Sequence, residues 1–284
     1  MKGILYLLFA EFCFAASSVV CKFVIQDSDI PGIQFTFFRF LLGTIIGFVL
    51  LKKNGERMIP VSPQMVGLRA IFNTISAMTF FMALEYTTVT NANMLGLTYP
   101  LWVVIFAPLI IREVFEVRNI VYLFIALLGV YVVVNPNFNA INKGDLLAFV
   151  SGVTASVAVL ALRQARKTDS TDLIIFYLMS TGMVVNFIFL YPIWTDPTPL
   201  QWFGILLSAS LGVLAQLSIT YGYKFIEATR GSMISSSRIV MAGVMGVIFF
   251  SDNITLKLII GACLIVFAQF GMISSKFKLI RKKS

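Results

Sequence analysis

Residues 3–25 read GILYLLFAEFCFAASSVVCKFVI, an apolar run interrupted only by the charges of Glu11 and Lys22. A helix rises about 1.5 Å per residue, so about 20 mostly apolar residues cross the hydrocarbon core of a bilayer. This run is long enough. The same ruler finds nine more candidate spans at about 31–51, 64–85, 89–111, 118–135, 145–163, 172–193, 199–222, 229–250 and 256–275. The intervening segments are short and carry turn or charge signals, such as Lys52-Lys53-Asn54-Gly55-Glu56-Arg57 and Asp196-Pro197-Thr198-Pro199. Composition agrees with the count. Of 284 residues, 58% are apolar and 12% charged, whereas soluble domains run at about 45–50% and about 25%. The chain reads as an all-α integral membrane protein of ten transmembrane helices.

Charge sidedness supports ten spans. Lys and Arg gather on the cytoplasmic side of a membrane protein, and ten spans place both termini on one side. That side collects sixteen of the 22 basic residues, among them Lys2, Lys52, Lys53, Arg57, Arg112, Arg118, Arg166, Lys167 and the tail from Lys276 to Lys283. The opposite side holds Lys22, Lys143 and Lys257, while Arg39, Arg69 and Arg238 fall within spans. One span more or fewer scrambles this asymmetry. The expected placement is a cell (inner) membrane, multi-pass, with both termini cytoplasmic. Net charge of +9 is thereby read as orientation and as a basic tail against anionic lipid, with no nucleic-acid partner. Glu11 breaks the first apolar run and no small-residue cleavage pattern follows, so the first span is expected to be retained rather than cleaved as a signal peptide.

The chain also repeats itself. Residues 83–119 align without a gap on residues 222–258, which places Glu113 on Asp252 and Tyr99 on Arg238. Ten helices then divide into two halves of five, residues 1–136 and residues 144–284, the second ending in the basic cytoplasmic tail. Five is odd, so the halves lie inverted in the membrane. Inverted repeats are a feature of secondary carriers, which bind substrate near the midplane between the halves.

Several pieces of sequence resemble one family. These are Ser17-Ser18 followed by Lys22, Phe38-Arg39-Phe40, Ala83-Leu84-Glu85-Tyr86-Thr87, Tyr99-Pro100-Leu101, Glu113 and Gly129-Val130. In their order and spacing they resemble the EamA-type carriers of the drug/metabolite transporter superfamily over essentially the whole chain. The resemblance implies a ten-helix inner-membrane carrier that exchanges or exports amino acids, amines, nucleotide-like compounds or other metabolites. The second half departs from the pattern, with Asp252 where the family usually has Glu and with the charge of Arg238 in the ninth span.

Charges within a span are costly and tend to face the bundle interior or a water-filled cavity. Glu11, Ala15, Ser18 and Lys22 share one stripe at i, i+4, i+7 and i+11, suited to a cavity wall or a close helix contact. Glu11 is a candidate to bind a cationic group or a coupling proton; its competing role is a buried partner for an Arg. Arg238, on a face with Gly231, Ser235 and Ala242, is the candidate anchor for a carboxylate or phosphate, which a guanidinium binds with two parallel hydrogen bonds. Its competing role is to neutralise Glu11. Tyr99, Ser18, Asn73, Asn93 and Gln216 are the further substrate-binding candidates, with Ser76, Asn91, Thr98 and Thr220 as polar residues that either line the cavity or hold helices together. Lys22 and Arg39 are assigned structural or gating roles. So is Pro100, which frees a carbonyl one turn earlier and lets the fourth span bend. Glu85, Glu113 and Asp252 lie at helix ends, and Arg69 and Arg163 are expected to snorkel to the cytoplasmic interface.

These residues favour a secondary active transporter working by alternating access. Glu11 and Arg238 together suit a zwitterion such as an amino acid. The alternatives are a proton-coupled exporter of cationic compounds, in which Glu11 titrates, and a carrier of S-adenosylmethionine or a nucleotide-like metabolite. Partners are the small-molecule substrate, the lipid bilayer, and a coupling proton or counter-substrate. There is no G-x-x-x-x-G-K phosphate loop. The chain has no His, and its three cysteines sit at unpaired spacing inside apolar runs, so no catalytic, metal or cofactor site is expected.

Overall fold

The computed structural model describes residues 2–111, 121–122, 124–125, 128–129, 131–132, 142–223, 225, 234–235, 237–251 and 255–283. The described residues form helices joined by short turns, with no strand among them. We number the helices α1 (Lys2–Ile25), α2 (Gly32–Lys53), α3 (Pro63–Tyr86), α4 (Val89–Gly96), α5 (Tyr99–Ile111), α6 (Lys143–Ala165), α7 (Thr171–Leu190), α8 (Pro199–Gly222), α9 (Ser237–Phe250) and α10 (Leu256–Lys283). Six stretches are long and apolar enough to cross a membrane: Gly3–Ile25, Gly32–Lys53, Pro63–Tyr86, Lys143–Ala165, Thr171–Ile193 and Pro199–Gly222. Each begins or ends within two residues of a span read from the sequence. The fifth span, 118–135, and the start of the ninth fall largely outside the described residues, as do Glu113, Asp252, Arg112, Arg118, Arg230 and Gly231. The last helix runs on to Lys283, past the residue-275 limit of the tenth span.

Helix starts follow local chemistry. Ser170 and Thr198 accept hydrogen bonds from the third amides of α7 and α8, and Thr198 and Gln201 complete a reciprocal capping box. Pro63 and Pro199 occupy first helical positions, where no amide partner is lost. The fourth span is discontinuous. α4 stops at Gly96, Leu97 and Thr98 form a turn, and α5 starts at Tyr99 with Pro100 in its first turn. A proline at 100 offers no amide to the carbonyl of Gly96, which is where the helix breaks.

The helices pack in pairs: α3 on α6, α1 on α8, and α2 on α7, with further contacts of α3 on α7, α2 on α8, α4 on α6 and α1 on α9. Helix association in a bilayer relies on close approach of small residues. Here Gly182 of α7 receives the ring of Phe40, and Gly43 and Gly47 of α2 receive Met179 and the backbone of Phe176. Two of the pairs are clasped by reciprocal serine bonds. Ser17 and Ser208 each donate to the other's carbonyl at 2.9 Å across α1 and α8. Ser151 donates to the carbonyl of Ser76 at 2.8 Å and Ser76 to that of Ser151 at 3.0 Å across α6 and α3. The exterior is apolar, with Leu109, Phe187, Ile188, Leu200 and Ile248 among its exposed side chains, as lipid contact requires.

Both ends of the bundle are tied by polar contacts. At one end Asp169 accepts from the amides of Val61 and Ser62, Asn54 donates to Asp172, and Ser170 donates to Glu56. At the other, Lys22 donates to the carbonyls of Leu84 and Thr87 at 2.7 and 3.1 Å, and Glu85 accepts from the amide of Gly32 at the start of α2.

Candidate functional site

A central cavity of about 120 Å³ opens between the helix pairs. Its walls come from α1 (Phe14, Ser17), α2 (Arg39), α3 (Arg69, Asn73, Ser76, Phe80), the α4–α5 break (Asn93, Gly96, Leu97, Tyr99), α6 (Ser151, Ala155), α8 (Gln216, Ile219) and α9 (Arg238). At about 30 Å³ per liquid water, this is room for about four waters. The walls alternate aromatic and polar groups, as ligand cavities do.

Arg238 enters the cavity with its charge already matched. Its Nε donates to Glu11 Oε2 at 2.5 Å, and its Nη2 pairs with the same oxygen. Ser235 Oγ donates to the other oxygen, Glu11 Oε1, at 2.5 Å. Glu11 is wholly buried and Arg238 keeps 17% of its side chain exposed. The carboxylate is thus spent inside the protein. It stands behind the cavity rather than on its surface.

Two other guanidiniums have no such partner. Arg39 and Arg69 are 5% and 4% exposed, and among the described residues neither has a carboxylate within ion-pair distance. Arg39 Nη2 donates to Gln216 Oε1 at 3.3 Å, which leaves Gln216 Nε2 as a donor without an acceptor. The Nε atoms of Arg39 and Arg69 are likewise unpaired, and Asn93 Oδ1 is an unpaired acceptor. Part of the cationic charge rests on one ring. The guanidinium carbons of Arg238 and Arg39 lie 4.5 and 5.1 Å from the centroid of Phe14, within reach of cation–π attraction. The Arg39 stem is held by small residues, since a Cβ on Gly212 of α8 would meet its Cδ at 2.7 Å.

The sequence-derived candidates separate into groups. Arg238, Tyr99, Asn73, Asn93 and Gln216 line the cavity. Ser18 stands one layer behind, accepting from Asn93 Nδ2 at 3.3 Å and donating to Ala15 O at 2.7 Å. Lys22 lies at the end of the bundle on the Leu84 and Thr87 carbonyls, and Pro100 sits at the helix break. Arg39, assigned to structure or gating, is on the cavity wall. Arg69 corrects the expectation of snorkelling. Its side chain is buried within the bundle and lines the cavity. Phe14 was not singled out, although its position three residues after Glu11 puts it beside the polar stripe.

Comparison with known proteins finds relatives along nearly the whole chain. The model of the EamA-like transporter family matches residues 1–135 and 142–274. The pseudopaline exporter of Pseudomonas aeruginosa is 24% identical over 97% of this chain and 97% of its own. Solute carrier family 35 member G1 of Mus musculus is 23% identical over 95% and 77%, and the S-adenosylmethionine uptake transporter of Rickettsia bellii is 19% identical over 99% and 96%. A solved crystal structure superposes with a TM-score of 0.62 over 97% of this chain and 94% of the other, at 17% identity, a likeness of fold alone.

Proposed function

Because the chain belongs to the EamA-like transporter family, we propose that it is a secondary carrier moving a small carboxylate-bearing metabolite through the central cavity, with amino acids and related zwitterions as the leading class. The observation that carries this reading is the charge of the cavity: Arg39, Arg69 and Arg238 converge on it, and Glu11 matches one of them. Buried guanidiniums without counter-charge are costly, and a carboxylate arriving from solution relieves that cost. An ammonium group would meet Asn93 Oδ1 and the rings of Phe14 and Tyr99 rather than Glu11, whose two oxygens are occupied.

The broken fourth span supports transport by alternating access. Discontinuous helices recur at carrier substrate sites because an interrupted ladder bends there, and Gly96, Leu97 and Tyr99 at this break face the cavity. The helix contacts favour two inverted halves of five. Counting α4 and α5 as one span and 118–135 as the fifth, advancing every span by five turns α3·α6 into α8·α1, α3·α7 into α8·α2, and α4·α6 into α9·α1, and all of these contacts are present. On this reading both termini face the cytoplasm across a cell membrane.

The alternative of proton-coupled cation export needs a free carboxylate, which Glu11 in its present bonds does not supply. A nucleotide-like substrate needs a wider cavity than one of about 120 Å³. The test is counterflow in liposomes carrying the purified protein, with radiolabelled amino acids, organic acids and quaternary amines in separate arms. Accumulation of carboxylate-bearing solutes above protein-free liposomes supports the reading. Accumulation of the amines alone, driven by a proton gradient, overturns it in favour of cation export.

A further inference from the structure

Resting on that carrier reading, we propose that the substrate bears two carboxylate groups, one read by Arg39 and the other by Arg69. The cavity presents three guanidiniums and a single internal carboxylate among the described residues, so two positive charges remain unmatched. Both free guanidiniums are at least nine-tenths buried, and each keeps an unpaired Nε beside the cavity. They stand on different helices, α2 and α3. Arg39 is fixed by Gln216, by the Phe14 ring and by the close approach of Gly212. Arg69 is buried on the cavity wall contributed by α3.

A solute with one carboxylate satisfies one arginine and leaves the other buried without counter-charge. A dicarboxylate satisfies both, and a chain of four or five carbons suits a cavity of about 120 Å³, since a cavity of about 150 Å³ takes a six-carbon ring. A compact dianion such as sulfate brings the same charge but fills a minor part of that volume and contacts fewer walls. Arg238 takes no direct part, because Glu11 holds it.

The probes are succinate, malate and glutamate, set against lactate, alanine, sulfate and choline. The readout is the thermal stabilisation of the detergent-purified protein, titrated to half-saturation. The two-carboxylate probes are expected to half-saturate at about tenfold lower concentration than lactate or alanine, the effect of one additional charge-assisted contact. Arg39→Gln and Arg69→Gln should each abolish that preference, bringing succinate and lactate to within about twofold, while Arg39→Lys retains part of it. Size-exclusion behaviour and ligand-free melting of each variant separate loss of binding from loss of fold. Equal stabilisation by lactate, alanine or sulfate overturns the inference, as does an Arg69→Gln protein that still prefers succinate. Counterflow of monocarboxylates without any response to the two-carboxylate probes overturns it while leaving the carrier reading intact. Counterflow of choline alone removes both.

Discussion

The two walls of the cavity handle buried positive charge in opposite ways. On the α1–α8–α9 wall, Arg238 is bound to Glu11, whose second oxygen is occupied by Ser235. Towards α2 and α3, Arg39 and Arg69 are buried more deeply than Arg238, yet neither has a carboxylate within reach among the described residues. The first arrangement is complete without a substrate. The second lacks a counter-charge among the described residues, which the proposed anionic substrate would supply. Buried charge in a membrane bundle is therefore not one phenomenon: a paired group belongs to the architecture, and an unpaired one at a cavity is available for binding.

Glu11→Ala should produce the largest change, because it strands Arg238 beside a wholly buried site. We expect about 3 kcal/mol lost in denaturant unfolding of the detergent-solubilised protein, at the low end for a broken buried pair, because Arg238 keeps 17% exposure. Adding Arg238→Leu to Glu11→Leu should recover most of that loss, and a double mutant no more stable than Glu11→Ala contradicts the pairing.

Gly152→Ala comes next. A Cβ there would meet Thr98 Oγ1 at 2.8 Å and the Leu95 and Gly96 carbonyls at 2.9 Å, so the α4–α5 break must shift. About 2 kcal/mol of stability should be lost, with a fall in counterflow rate. Unchanged rate and stability would show that the break tolerates displacement.

Arg69→Met and Arg39→Met should move stability the other way. Each removes an uncompensated buried charge while keeping an apolar stem, so melting should be unchanged or improved by up to about 1 kcal/mol, alongside weaker substrate binding. Destabilisation as large as that of Glu11→Ala would erase the contrast between the walls.

The smallest effect belongs to the serine clasps. Ser17→Ala and Ser76→Ala should each cost about 0.6 kcal/mol, typical of a hydrogen bond between membrane helices. Similar losses in the two variants are the expected result, since each clasp joins one helix pair by the same reciprocal bonds. A difference above about 1 kcal/mol would mean that one pair carries more of the bundle.

Much of the helix layout was legible because its cause is local. An apolar run of about 20 residues must satisfy its backbone internally in lipid, which places α1 to α3 and α6 to α8 close to their read boundaries. The break before Pro100 was legible for a similar reason, since a missing amide acts one turn away. The Glu11 stripe was readable as a face, and Ala15 and Ser18 are buried on it. Arg69 was misread. Six residues into α3 it lies about 9 Å along the axis from the helix start, within reach of an interface, yet in the packed bundle it is buried on the cavity wall.

What the sequence determined by itself was which segments are helical and which charges interrupt them, because hydropathy and helical period act within a single helix. Only the tertiary structure decided which charges meet. Glu11 and Arg238 are 227 positions apart, and no local pattern distinguishes a carboxylate awaiting substrate from one neutralising a distant arginine. Packing α9 against α1 pairs those two and, among the described residues, leaves Arg39 and Arg69 without a carboxylate. The physical reason is that a buried charge takes the nearest counter-charge in space, and spatial proximity is set by helix packing rather than by order along the chain.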